Sequence, residues 1–161
     1  MGRYIKFGTN KKRYERSKKQ MNTDKVYEQL KIDEGVKYEI YRDHLGYPTF
    51  GVGHLVTPDD DEYGEPDGTP VSEERVHSVF INDLHTAVRE CLILYRESYF
   101  EDWPSEVQEI LVNMMFNLGR PRLSKFKKMH AALNNEDWCE AAKRGVTLFG
   151  TDKCPHEPKD L

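Results

Sequence analysis

The chain has 161 residues, of which 37% are hydrophobic and 32% charged, with a formal net charge of −4. At roughly 100–200 residues per domain this is one compact domain with extensions. No run approaches the roughly 18 apolar residues of a membrane span, and no Pro, Gly or Ser bias points to wholesale disorder.

The charge is uneven along the chain. Residues 1–20 hold eight Lys/Arg against one acid, Glu15, so a tail of +7 precedes a body of −11. Residues 1–21 read as a basic extension expected to be disordered, with no apolar segment of the kind a secretory signal carries. No nucleic-acid-binding fold accompanies the tail, so a nucleic-acid partner is not expected. Asn22, Thr23 or Asp24 can cap a first helix that carries Val26, Tyr27 and Leu30 and ends near Gly35. From Val36 to Val56 aromatic and β-branched residues alternate with Gly46, Gly51 and Gly53, the pattern of a hairpin or a small three-stranded sheet.

Residues 58–70 hold Asp59, Asp60, Asp61, Glu62, Glu65 and Asp67. A calcium loop beginning at Asp59 would want an acid where Tyr63 stands and Glu where Pro70 stands, so a solvated loop is expected. Ser72 then caps a long helix with Val76, Val79, Phe80, Leu84, Val88, Cys91, Leu92 and Tyr95 at helical spacing. A second apolar helix carries Val107, Ile110, Leu111, Met114, Met115 and Leu118 and stops at Gly119. A third begins near Ser124, and Asn135 is the expected cap of a fourth carrying Trp138, Ala141 and Ala142. The three cysteines cannot all pair with one another, their spacing is not that of a zinc ribbon, and no metal is expected.

The fold class this pattern implies is α+β: a small β-sheet lobe and a larger, mainly helical lobe joined by a long helix. A cleft between such lobes is the expected ligand site. Glycoside hydrolysis needs one carboxylic acid for the leaving oxygen and a second carboxylate on the other side of the bond. Glu34 at a helix end and Asp43 after the following strand are candidates, although acid pairs at this spacing are common in a chain with 28 acids.

The ordered string is more specific. Glu34-Gly35, Tyr41-x-Asp43 and Gly46-Tyr47-x-Thr49-x-Gly51-x-Gly53-His54-Leu55 resemble the phage-type lysozymes, glycoside hydrolase family 24. Asn113 to Gly119, and Phe126 followed by Trp138, resemble that family's helical lobe, so the likeness runs over residues 24–144 of a lysozyme-like domain spanning 22–144. The resemblance implies Glu34 as general acid, with Asp43 and Thr49 holding the attacking water so that the anomeric carbon inverts. It implies Leu55 and Phe116 in the saccharide cleft, and His54 with Asp83 as a structural ion pair. The implied substrate is bacterial peptidoglycan, cut between N-acetylmuramic acid and N-acetylglucosamine for defence, digestion or phage release, by a monomer that needs no cofactor. Met129 and Arg144 stand where the family often has a small polar residue and an Asn. Past Arg144 the likeness ends: Gly145–Leu161 has no Trp-x-x-Gln-x-x-Asn-Arg-Ala-like motif, the family's source of an Arg beside the acid. A divergent or truncated end, and with it an impaired peptidoglycan-binding or decoy form, is the alternative expectation.

Overall fold

A computed structural model describes residues 21–96 and 98–145. The basic extension up to residue 20 and the divergent segment beyond residue 145 lie outside the described residues. The chain forms two compact units, one of Asn22–Ala87 and one of Val88 onward together with Met21. With five α-helices and one three-stranded antiparallel sheet among the described residues, the α+β expectation holds.

In the first unit, helix α1 (Thr23–Glu34) begins where Asn22 accepts a bond from Lys25 N–H at 3.0 Å, selecting one of the three candidate caps. It ends at Gly35, whose φ of 73° is one that a residue with a Cβ rarely adopts. Strands β1 (Lys37–Arg42), β2 (Pro48–Gly51) and β3 (His54–Leu55) follow in sheet order β1-β2-β3. Pro48 opens the central strand at its first position, where a missing N–H disturbs the ladder least. The register pairs Tyr41 with Thr49 and Thr49 with Leu55, while Phe50 pairs with His54. Because side chains alternate across a strand, Tyr41, Thr49 and Leu55 form one row on one face, and Ile40, Phe50 and His54 belong to the other. That second face feeds the core of Ile40, Phe50, Val56, Val71, Val76 and Val79. The free side of β1 is met by the returning chain: Ile40 N–H donates to Thr69 O, Gly68 N–H to Ile40 O and Val71 N–H to Tyr38 O, at 3.0, 2.7 and 2.8 Å.

Gly51 is required where it stands. Its φ is 63°, and a Cβ there would sit 3.1 Å from Val76 Cγ1. The residues after β3 correct one expectation. Residues 58–70 do form a loop, but Asp60 and Glu62 are not solvated. Their side chains are only 13% exposed and turn back onto His54 and Arg75.

Helix α2 (Glu73–Leu94) starts with Ser72 Oγ accepting from Arg75 N–H at 3.2 Å. Every residue of its predicted apolar stripe is buried, as is Tyr95 just beyond its end.

In the second unit, helix α3 (Ser105–Leu123) is broken at Gly119, which has φ 72° and ψ 162° before a last turn containing Pro121. Gly119 therefore interrupts the helix where the sequence places its end. On its stripe Ile110 is 48% exposed and Leu118 half-buried, while Val107, Leu111, Met114 and Met115 are buried. Gln108 faces inward instead, fully buried, its Nε2 donating to Trp103 O at 2.8 Å. Helix α4 (Lys127–Asn134) starts three residues later than expected, because Ser124 to Phe126 are spent on tight turns back to Arg120, Arg122 and Leu123. Asn135 closes α4 through its N–H rather than capping the next helix. The cap of α5 (Trp138–Gly145) is Asp137, which accepts from Glu140 N–H at 3.0 Å. Trp103 anchors this unit, with ring contacts to Tyr95, Phe100 and Trp138 at 5.4, 5.9 and 5.7 Å. Edge and tilted pairs of this kind add about 0.5–1.5 kcal/mol each beyond the area they bury.

Candidate active site

The β1–β2 hairpin is built around Tyr47. Its N–H donates to Asp43 Oδ1 at 2.8 Å, and its carbonyl accepts the Asp43 N–H at 2.9 Å and the Thr49 hydroxyl at 3.0 Å. Leu45 N–H adds a second bond to the same Asp43 oxygen at 2.9 Å. The residue type follows from the task, since Asp closes such a turn by bonding backbone N–H groups a few residues on. Gly46, at φ 84°, lets the chain reverse inside the turn.

These bonds leave a specific chemical capacity. Both N–H donors meet Asp43 Oδ1, so Oδ2 takes part in none of them. Thr49 is buried and its only proton goes to the Tyr47 carbonyl, so Oγ1 presents lone pairs to any donor that approaches. A half-buried carboxylate and a buried hydroxyl oxygen are thus tied to one backbone residue.

Glu34 is the last residue of α1 and is exposed. The group that relates it to Asp43 is Tyr41, cross-strand partner of Thr49. Burial, then the charge of Asp43, then that of Glu34, push the Tyr41 phenol above its ordinary value. Both carboxylates are thus felt at one hydroxyl. The Lys37 ammonium lies over the face of the same ring, 4.2 Å from its centre. Leu55, opposite Thr49 on the outer strand, is 47% exposed. Sequence reasoning quoted Tyr41 within the motif but gave it no role. Its signal was available in the period-two spacing from Tyr41 to Asp43 and the register with Thr49.

His54 and Asp83 are brought together, with Nδ1 to Oδ2 at 2.8 Å. The other ring nitrogen, Nε2, lies 3.1 Å from Asp60 Oδ2. A neutral imidazole donates from one nitrogen only, so carboxylates on both sides call for the imidazolium. Burial by itself would lower the His54 pKa. Asp83 and then Asp60 outweigh it, and the net direction is upward. Asp60 also accepts the N–H and hydroxyl of Thr57 and one Arg75 guanidinium nitrogen. Arg75 grips Glu62 through two bonds, Nε to Oε1 at 2.8 Å and Nη2 to Oε2 at 2.9 Å. Sequence reasoning missed this extension from Asp60 through Arg75 to Glu62, since nothing local announces a pair separated by 15 residues.

Phe116 belongs to the second unit, half-buried on α3. Met129 is buried there, and Arg144 is ion-paired with Glu140 at 2.7 Å. No group of three or more His, Cys, Asp or Glu among the described residues is arranged to hold a metal ion. No helix among them is long and apolar enough to cross a membrane.

The family profile described as phage lysozyme matches residues 31–149, well over half of the chain. The chain is 32% identical over 130 residues to Probable T4-type lysozyme 2 of Dictyostelium discoideum, covering 70% of this chain and 76% of that protein. It is 28% identical over 138 residues to Probable T4-type lysozyme 1 of the same organism, covering 73% and 79%. It is also 30% identical over 136 residues to the pre-baseplate central spike protein Gp5 of Enterobacteria phage T4, covering 73% of this chain and 23% of the spike protein.

Proposed function

The chain belongs to the phage lysozyme family, glycoside hydrolases of the muramidase type that act on peptidoglycan, and on that premise we propose that it cuts the β-1,4 bond between N-acetylmuramic acid and N-acetylglucosamine with inversion. Glu34 protonates the departing glycosidic oxygen. A water held by Asp43 Oδ2 and Thr49 Oγ1 gives its proton to Asp43 and attacks the anomeric carbon from the opposite ring face. Leu55 and Phe116 contact the saccharide, and His54 with Asp83 supports the scaffold. One lysozyme-like domain over residues 22–144, working as a monomer, lyses bacteria by this reaction.

The observation that carries the reading is the shared bonding of Asp43 and Thr49 to Tyr47. It leaves Asp43 Oδ2 and Thr49 Oγ1 as acceptors, the two that the proposed water needs. A retaining enzyme would instead need its second carboxylate as a nucleophile, closer to the acid.

Glu34→Gln is the direct test, because it removes the transferable proton from an exposed side chain at nearly constant shape. Turnover of purified peptidoglycan, followed by turbidity and released reducing ends, is expected to vanish while the melting curve stays unchanged. Full activity in that variant would overturn the assignment of the acid. The anomer of the first product, read by NMR before mutarotation, decides inversion.

A further inference from the structure

In an acidic chain, one segment of the second unit is purely cationic. Between Ile110 and Asn135 there is no Asp or Glu, while Arg120, Arg122, Lys125, Lys127 and Lys128 fall within nine residues. All five are exposed. Arg120 is paired with Glu90 at 2.7 Å. Among the described residues the other four have no acidic partner.

The segment is built rather than loose. The Gly119 break turns the chain. Ser124 N–H then donates to Arg120 O at 2.9 Å and Lys125 N–H to Arg122 O at 3.1 Å, and Ser124 Oγ donates to Pro121 O at 2.9 Å. Leu123 is fully buried, and His130 Nε2 donates to its carbonyl at 2.8 Å. Tight turns pinned from beneath thus carry four exposed, unpaired cations within seven residues of one another in sequence.

We infer that Arg122, Lys125, Lys127 and Lys128 form a docking surface for the carboxylate-bearing peptide stems of the wall whose glycan the chain cleaves. This inference rests on the peptidoglycan reading above. Sugar hydroxyls alone give four unpaired cations nothing to neutralise, whereas the stems bring free carboxylates attached to the same polymer. Elsewhere the acidic body repels that polymer over roughly the 8–10 Å of physiological screening, so a local cationic face decides which way the protein lands. Single-stranded nucleic acid is the weaker fit, because its binding faces interleave cations with stacking aromatics. The two phenylalanines in this segment, Phe116 and Phe126, are both half-buried.

The test compares the full chain with the Arg122→Gln, Lys125→Gln, Lys127→Gln, Lys128→Gln variant. Brief co-sedimentation at low temperature is run on purified peptidoglycan stripped of phosphodiester polymers, and on chitin, whose insoluble stem-free strands carry no carboxylate. Exposed ion pairs are individually weak, so loss of four is expected to weaken binding to stem-bearing wall about tenfold at low salt. The difference closes near ~1 M salt, where the screening length is about 3 Å. Binding to stem-free strands is expected to match the parent. Equal binding of both proteins to stem-bearing wall overturns the proposal, and so does an equal loss on stem-free strands. A loss seen only on walls that retain phosphodiester polymers, or only on DNA or RNA, assigns the surface to that polymer and refutes the stems. Failure of the parent to cut the stem-bearing wall strikes the hydrolytic reading alone, because sedimentation reads the surface without turnover.

Discussion

Asp60→Asn tests the ionic chain behind the sheet. The carboxylate takes bonds on both sides: Oδ2 from His54 Nε2 and the two Thr57 donors, and Oδ1 from Arg75 Nη2. An amide has one acceptor. Whichever way the substituted amide turns, its NH2 faces donors, and the charge opposite His54 and Arg75 is gone. A hydrogen bond to a charged group contributes about 1.5–3 kcal/mol. The His54 and Asp60 side chains are only 16% and 13% exposed, so little of that is lost to solvent screening. A loss of about 2 kcal/mol lowers Tm by roughly 4–8 °C for a chain of this size.

The loss depends on pH. His54 is shifted upward, so its contribution is complete below its unfolded pKa of about 6.5 and fades as pH rises through the higher folded value. Burial raises the Asp60 pKa, but bonds from Thr57 and His54 outweigh it and the net shift is downward. Its contribution is therefore present above about pH 4 and fades on acidification. Thermal melts of parent and variant should differ more near about pH 5.5 than at alkaline pH, where the His54 share is lost and only the Arg75 and Thr57 bonds to Asp60 remain. An equal Tm difference at the two pH values, or none at the lower, would refute the imidazolium.

Gly51→Ala places a methyl 3.1 Å from Val76 Cγ1 at a φ of 63°, and is expected to cost about 1–3 kcal/mol. A lower urea midpoint at unchanged slope is the result sought, and an unchanged midpoint contradicts the close approach. Cys91 is fully buried, its thiol donating to Leu111 O at 3.6 Å, and burial followed by the Glu90 charge pushes its pKa well above the thiol range. Peptide mapping after iodoacetamide treatment should find Cys91 unmodified in native protein and alkylated in denaturant. Modification of native protein at the rate of a free thiol would contradict that burial.

Helices were legible wherever one face alone met the core. The stripe from Val76 to Tyr95 is buried in full because a two-faced helix obeys its 3.6-residue period. Ile110 broke the rule because Gln108 turns inward, its Nε2 donating to the Trp103 carbonyl, and an inward polar residue shifts the buried arc. The hairpin was readable because Gly46, Gly51 and Gly53 each mark a positive φ. The caps were ambiguous because Asn22, Asn135 and Asp137 all carry the right oxygen, and only the path of the chain selects among them. At the site, Glu34, Asp43 and Thr49 came from a motif. The backbone of Tyr47, which ties two of them together, has no signature in a side chain. The loop at residues 58–70 misled most, since an acid that folds back onto Arg75 looks the same in sequence as one facing water.

The bonds from residues 68–71 onto β1 have a consequence for handling the protein at high concentration. An open outer strand is a template on which a second chain can extend the sheet. Here that strand is already matched by the molecule's own backbone, and the opposite edge, His54–Leu55, is two residues long. Neither margin offers the length that self-propagating β-association needs. The exposed Tyr38 and Leu55 beside those margins can therefore remain uncovered without recruiting neighbours.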